Sequence, residues 1–224
     1  MRKSIHYVAG AAVAGLLISA SLQADAKGTV KPAVTDVPAT TYSLDKAHAS
    51  LIFEVSHLGF SNWTGRFASW DAKLTLDPKN PANSSVEATI DPNSLTHDNP
   101  PAGFLDQLHG PQFLSALQFP NITFKSTKIV MTAPDKALVT GDFTLHGITK
   151  QVTLDTTFNG GWAKMPMDPG GARVGFSAHG SLNRSDFGIG MGVPPKGSKM
   201  GVGDLVNFQI EAEFSEHPAP EAKQ

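Results

Sequence analysis

Leu51-Ile52-Phe53-Glu54-Val55-Ser56-His57 and Ala68-Ser69-Trp70-Asp71-Ala72-Lys73-Leu74-Thr75-Leu76 decide the fold, because in both stretches the apolar residues fall on every second position. That period sends one face of an extended strand to a core and the other to water. The same alternation returns at Val86-Ala88-Ile90, Ile122-Phe124, Val139 to Leu145, Val152 to Phe158, Val174 to Ala178 and Val206 to Phe214. Turn signals separate the runs: Asp77-Pro78-Lys79-Asn80-Pro81, Asp91-Pro92, Ala133-Pro134-Asp135, His146-Gly147 and Asn159-Gly160-Gly161. About eight antiparallel strands with one apolar face each must stack as two sheets or close on themselves, and closure removes the edges. Periodicity alone does not separate barrel from sandwich.

Between Pro101 and Leu117 the period changes. Phe104, Leu105 and Leu108 fall at helical spacing, and after Pro111 a second group follows with Phe113, Leu114 and Leu117. This predicts one or two short helices whose apolar side covers the open mouth of a barrel.

The ends read differently from the middle. Arg2 and Lys3, the apolar run Val8 to Leu22 and the small residues around Ala24-Asp25-Ala26 form the pattern of a signal peptide cleaved after Ala26. The run is shorter than the about 20 residues a bilayer span needs, and no second one follows, so a chain not integral to the membrane is expected. Residues 27–40 and 216–224, rich in Pro and small residues, read as a flexible lead-in and tail around one domain at 41–215. Export permits disulfides, yet the chain has no Cys, so burial and hydrogen bonds must hold the fold. Eighteen Lys and Arg against 20 Asp and Glu, spread through the chain, give no basic stripe for nucleic acid.

Few residues point to chemistry. The His residues form no H-x-H, H-E-x-x-H or helical i, i+4 pair, so no metal site is expected. His57 extends the apolar face of Leu51, Phe53 and Val55. Gly175-Phe176-Ser177-Ala178-His179 opens like a nucleophile elbow but has His where the second Gly belongs, and strand-like sequence follows it. A hydrolase using Ser177 and His179 is therefore the alternative reading, and a ligand-free stress-response module a third. Gly188-Ile189-Gly190-Met191-Gly192 is followed by Pro194 and Pro195, which exclude a dinucleotide-binding helix and leave a mobile loop. Arg184-Ser185-Asp186 at a strand end reads first as a loop-fixing group. Thirteen Phe spread over nearly every element admit two readings, a packed core or the lining of a barrel that holds one elongated molecule.

The order of motifs selects between them. Asp45-Lys46-Ala47-His48, Phe53-Glu54-Val55-Ser56-His57, Gly65-Arg66-Phe67, Phe119-Pro120-Asn121-Ile122-Thr123-Phe124-Lys125-Ser126, Leu145-His146-Gly147-Ile148-Thr149-Lys150, Asn183-Arg184-Ser185-Asp186-Phe187-Gly188 and Gly203-Asp204 occur in this sequence over Thr41 to Ser215. The chain thereby resembles the YceI-like family of exported bacterial proteins. The resemblance implies an all-β fold, an extended eight-stranded antiparallel lipocalin-like barrel, with a long isoprenoid lipid of quinone or polyprenyl phosphate type in a central tunnel. It implies a periplasmic binding or carrier protein, no enzymatic activity and no cofactor besides the lipid. The expected tunnel lining is Leu51, Phe53, Val55, Phe67, Phe104 and Leu108 from the first half, with Phe113, Phe124, Phe143 and Phe176 from the second. His48, His57, Arg184 and Asp186 are the expected headgroup contacts. Met165 to Gly171 and Gly190 to Gly201 run longer than the family pattern and are expected at the rim. Association of two chains stays open.

Overall fold

Each alternating run becomes an antiparallel strand in the computed structural model, which describes residues 36–164 and 166–217. The strands are β1 (Thr40–His57), β2 (Ser61–Phe67), β3 (Trp70–Leu76), β4 (Ser85–Ile90), β5 (Leu95–Thr96), β6 (Ile122–Ala133), β7 (Lys136–Leu145), β8 (Ile148–Trp162), β9 (Arg173–Asn183) and β10 (Val202–Ser215). Eight of them close in the order β1-β3-β4-β6-β7-β8-β9-β10, and β10 pairs back onto β1 from Ser43↔Ser215 to His57↔Val202. The expected eight-stranded barrel is therefore formed.

The other two strands complicate one end. The first four residues of β1 pair with β3, whereas Ile52 to His57 pair with β2. Strands β2 and β3 thus form one wall interrupted at Ala68 and Ser69, and β5 pairs with β2 rather than with β6. A gap in the sheet is left between β5 and β6. The chain between them fills it with the single short helix α1 (Phe104–His109). The second expected helix does not form, because Pro111 lacks an N–H and Ser115 adopts a φ of 46° that turns the chain out of helical geometry. Phe113 and Leu114 still pack on the core, but Leu117, expected beside them, is fully exposed.

The connections sort into two ends. At the upper end lie the β1–β2 turn, the α1 segment, the β7–β8 turn and the β9–β10 connection; at the lower end lie the β3–β4, β6–β7 and β8–β9 connections. One buried cluster, including Val37, Tyr42, Leu74, Val174 and Phe214, occupies the lower part. A second, including Ile122, Leu145, Phe187 and Ile189, occupies the upper part. The outer wall is polar, with Asp71, Lys73, Glu87, Lys125, Asp142, Gln151, Asp155, Gln209 and Glu211 on it. That is the inverse of a lipid-spanning barrel, whose apolar band faces outward. No helix among the described residues is long and apolar enough to cross a membrane.

The expected signal peptide, most of the lead-in and most of the tail lie outside the described residues. Where the lead-in and tail are described, they are packed rather than loose. Val37 is buried in the lower cluster, the Tyr42 hydroxyl donates to the Pro38 carbonyl at 2.7 Å, and the Glu216 N–H donates to the Ala172 carbonyl at 3.0 Å.

An ionic cluster closes this lower end. The Arg173 guanidinium donates to Asp168 and, at 2.5 Å, to Asp45, which sits in a bulge of β1 between Leu44 and Ala49. Burial pushes the Asp45 carboxyl up, but hydrogen bonds from Arg173 and His48 outweigh it and hold it below its ordinary value. Arg173 lowers Asp168 in the same way. Carboxylates depressed in the folded state contribute stability at neutral pH that is lost as pH falls through the ordinary carboxylate range, about 4, toward the depressed values. The thermal midpoint, followed by circular dichroism from pH 7 to pH 3, is expected to fall steeply below about pH 4 and to fall less in Arg173→Gln. Parallel curves for the two proteins would contradict this.

Candidate functional site: an apolar tunnel through the barrel

Inward-facing residues of all eight closing strands surround a cavity of about 910 Å³. This is near the top of the roughly 300–1,000 Å³ range of small-molecule sites. It is bounded by His57, Ser61 and Phe104 at the upper end and by Pro81, Pro134 and Lys136 at the lower end, so it follows the barrel axis. A 14-residue strand such as β10, at about 3.3 Å per residue and a tilt of about 40°, spans about 35 Å along that axis.

Two features keep this space from being filled. The first is a pairing of glycine with phenylalanine on neighbouring strands. Phe53 lies directly opposite Gly65, and Phe208 opposite Gly180. A Cβ on Gly65 would stand 2.5 Å from the Phe53 ring, one on Gly141 2.5 Å from the Phe124 ring, and one on Gly180 2.7 Å from the Phe208 ring. Each glycine lets a ring lie against the wall where a side chain would tip it inward. The second is alanine on facing walls. Ala88 on β4 and Ala178 on β9 both border the cavity, and β4 and β9 stand four places apart in the closed ring of eight.

All ten residues expected to line a tunnel, Leu51, Phe53, Val55, Phe67, Phe104, Leu108, Phe113, Phe124, Phe143 and Phe176, border this cavity. The four expected headgroup residues do not come together. His57 is at the upper mouth. Arg184 borders the cavity but is buried, and its guanidinium donates to the carbonyls of Gly203, Ile189, Met191 and Val202 at 2.8–3.0 Å. Four of its five N–H groups are thus spent on backbone, which ties the β9–β10 connection to the barrel end. The Gly188 to Gly192 stretch, expected to be mobile, is held by these bonds, with Ile189 in the core. His48 lies on the β1 bulge against Asp45 at 3.1 Å, away from the cavity, and Asp186 pairs on the outside with Lys150 at 3.6 Å. The two long segments sit at opposite ends, and no described residue of either borders the cavity.

Trp63 and His97 belong at the mouth and were missed by periodicity. Trp63 stacks near Phe53, Phe104 and the His97 ring, the last at 4.7 Å between centroids. His97 Nδ1 is 2.8 Å from the Thr64 carbonyl. Trp63, Gly65 and Phe67 do alternate on β2, but glycine in the middle hides the apolar period. Ser61, Asn62 and Thr64 also border this mouth, so its polar groups are hydroxyls, an amide and imidazoles.

The hydrolase pair takes another arrangement. Ser177 and His179 both face outward on β9; the Ser177 hydroxyl donates to Glu211 at 2.5 Å, and His179 approaches Asp155 at 3.7 Å. Neither bonds the other, whereas an activated serine needs a base within hydrogen-bond reach. Asp45, His48 and Glu213 do converge, a trio that sequence spacing does not reveal because Glu213 arrives from β10. Arg173 bonds Asp45 there at 2.5 Å and lies 3.7 Å from Glu213, so the two carboxylates of the trio already face a cationic side chain.

A closed antiparallel barrel, polar outside and hollow and apolar inside, defines the lipocalin-like class of β-barrels. The YceI-like domain model matches residues 42–214, and the chain belongs to that family. It is 36% identical over 176 residues to a UPF0312 protein of Pseudomonas savastanoi pv. phaseolicola, covering 77% of this chain and 88% of that protein. With a UPF0312 protein of Vibrio parahaemolyticus it shares 40% over 154 residues, 67% of this chain and 78% of the relative. Among solved structures, a Campylobacter jejuni YceI protein aligns with a TM-score of 0.59 at 28% identity, over 71% of this chain and 88% of that one. A polyisoprenoid binding domain from Saccharophagus degradans shares the fold, with a TM-score of 0.52 at 14% identity over 80% of this chain and 98% of that one.

Proposed function

We propose that the protein is an exported, periplasmic binding or carrier protein that holds one long isoprenoid lipid in the barrel tunnel. The observation that carries this reading is the apolar cavity along the barrel axis, with hydroxyl, amide and imidazole groups at its upper mouth and Asp135 and Lys136 at its lower end. Each 100 Å² of apolar ligand surface withdrawn from water contributes about 2.5 kcal/mol, so an extended tail binds without directional contacts. That the Saccharophagus degradans domain of the same fold is a polyisoprenoid binding domain agrees with such a ligand.

The mouth favours a quinone over a polyprenyl phosphate. At this mouth a phosphate would need free charge-assisted donors, but the guanidinium that borders the cavity is already engaged by four carbonyls, and the ammonium that borders it, Lys136, stands at the lower end. His57, Ser61 and Asn62 suit a carbonyl or hydroxyl headgroup instead. Two of the three tryptophans, Trp63 and Trp70, border the cavity, while Trp162 does not. A quinone with a short isoprenoid tail, titrated into delipidated protein, is expected to quench tryptophan emission and saturate at one equivalent. Absence of quenching, or quenching equal to that of free tryptophan in solution, would rule the reading out.

A further inference from the structure

Exposed large apolar side chains are few on the outer wall (Ile52, Val130, Leu138) and at the lower end (Trp162, Met167), and gather at the upper end. Phe60 in the β1–β2 turn is 83% exposed, Leu117 after α1 is fully exposed, and Met191 and Met200 in the β9–β10 connection and Ile148 at the start of β8 are also exposed. These connections touch one another. The Leu58 N–H donates to the Gly201 carbonyl and the Val202 N–H to the Gly192 carbonyl, both at 2.8 Å; Gly188 packs by His146 and Ile148, and the Phe119 ring lies 5.2 Å from that of His146. The exposed side chains therefore form a rim around the end where the cavity meets His57, Ser61 and Phe104.

Charge at this rim is uneven. Lys196 and Lys199 are exposed on the same connection as the two methionines, with Lys199 packed against the β1–β2 turn at Gly59. On that side the carboxylates are engaged, Asp186 with Lys150 and Asp204 with the Ser185 N–H and hydroxyl. Asp98 and Asp106 stand on the α1 segment. Large apolar side chains interleaved with lysine are the composition that settles into the headgroup boundary of an anionic bilayer.

The geometry points to the upper rim as a membrane-docking surface: Phe60, Met200 and their neighbours enter an anionic lipid interface and bring the tunnel mouth against it. A long lipid then passes between bilayer and barrel without crossing water. This rests on the lipid-carrier reading, but its test is separable. The mature protein is mixed with vesicles of phosphatidylcholine alone, or of equal parts phosphatidylcholine and phosphatidylglycerol, and sedimented. The expected result is co-sedimentation that is stronger with phosphatidylglycerol and reduced about tenfold by Phe60→Asp and again by Met200→Asp. Met167→Asp, at a residue 93% exposed at the lower end, should leave it unchanged. All three substitutions are at exposed positions, and native circular dichroism checks that each variant is folded. A wild-type protein that stays in the supernatant with both vesicles overturns the inference, as does equal binding by all variants. Dimers dissociated by Phe60→Asp, with no vesicle binding, assign the rim to a second copy and overturn it too. A chain that carries lipid but ignores vesicles defeats only the docking surface; one that binds vesicles but is always empty defeats only the carrier.

Discussion

Arg184→Met is expected to lower the thermal midpoint by about 10 °C. The guanidinium is buried and answers the carbonyls of Ile189 and Met191 in the β9–β10 connection and of Val202 and Gly203 at the start of β10. A methionine fills much of the volume but leaves those acceptors without donors. Charge-assisted bonds of this kind and the desolvation of orphaned carbonyls together put the loss at about 3–5 kcal/mol. At about 2–4 °C per kcal/mol for a chain of this size, the shift is well outside error. Arg184→Lys should recover only part of it, because one ammonium with three donors cannot span the fork. A midpoint within about 2 °C of wild type for Arg184→Met would show that the connection is held by other means.

Ala178→Trp is expected to remove at least nine-tenths of the bound lipid while leaving a folded barrel. Ala178 pairs with Thr156 on one side and Ile210 on the other, and all three side chains border the cavity. An indole at this position projects across the lumen toward the β4 wall, where Ala88 leaves the matching space. Because the ring enters open volume, the cost to stability should stay near the lower end of the about 1–3 kcal/mol seen for overpacking. Lipid extracted per mole of purified protein, compared with wild type from the same host, gives the answer. Undiminished lipid in a folded variant would place the ligand outside the tunnel.

The inward strand faces were legible in sequence because such a face repeats every two residues, and Leu51-Phe53-Val55 or Val174-Phe176-Ala178 expose that period without interruption. What was not legible depends on residues far apart in the chain. Gly65, Gly141 and Gly180 matter because of the ring each neighbouring strand lays over them, and Gly65 also breaks the apolar rhythm that would have marked Trp63. Leu117 kept helical spacing in sequence, yet the left-handed Ser115 turned it outward. Arg184 and Asp186 sit two positions apart but diverge, one buried under the β9–β10 connection and the other outside against Lys150. The lower ionic cluster draws Asp45 from β1, Arg173 from β9 and Glu213 from β10, which no local motif announces.

Native mass spectrometry of the protein purified without detergent from its own host tests the central claim most directly. The expected spectrum shows one apolar adduct per chain, released by organic extraction as an isoprenoid with a neutral quinone-type headgroup, and absent from Ala178→Trp. A wild-type chain that is consistently empty would contradict the claim.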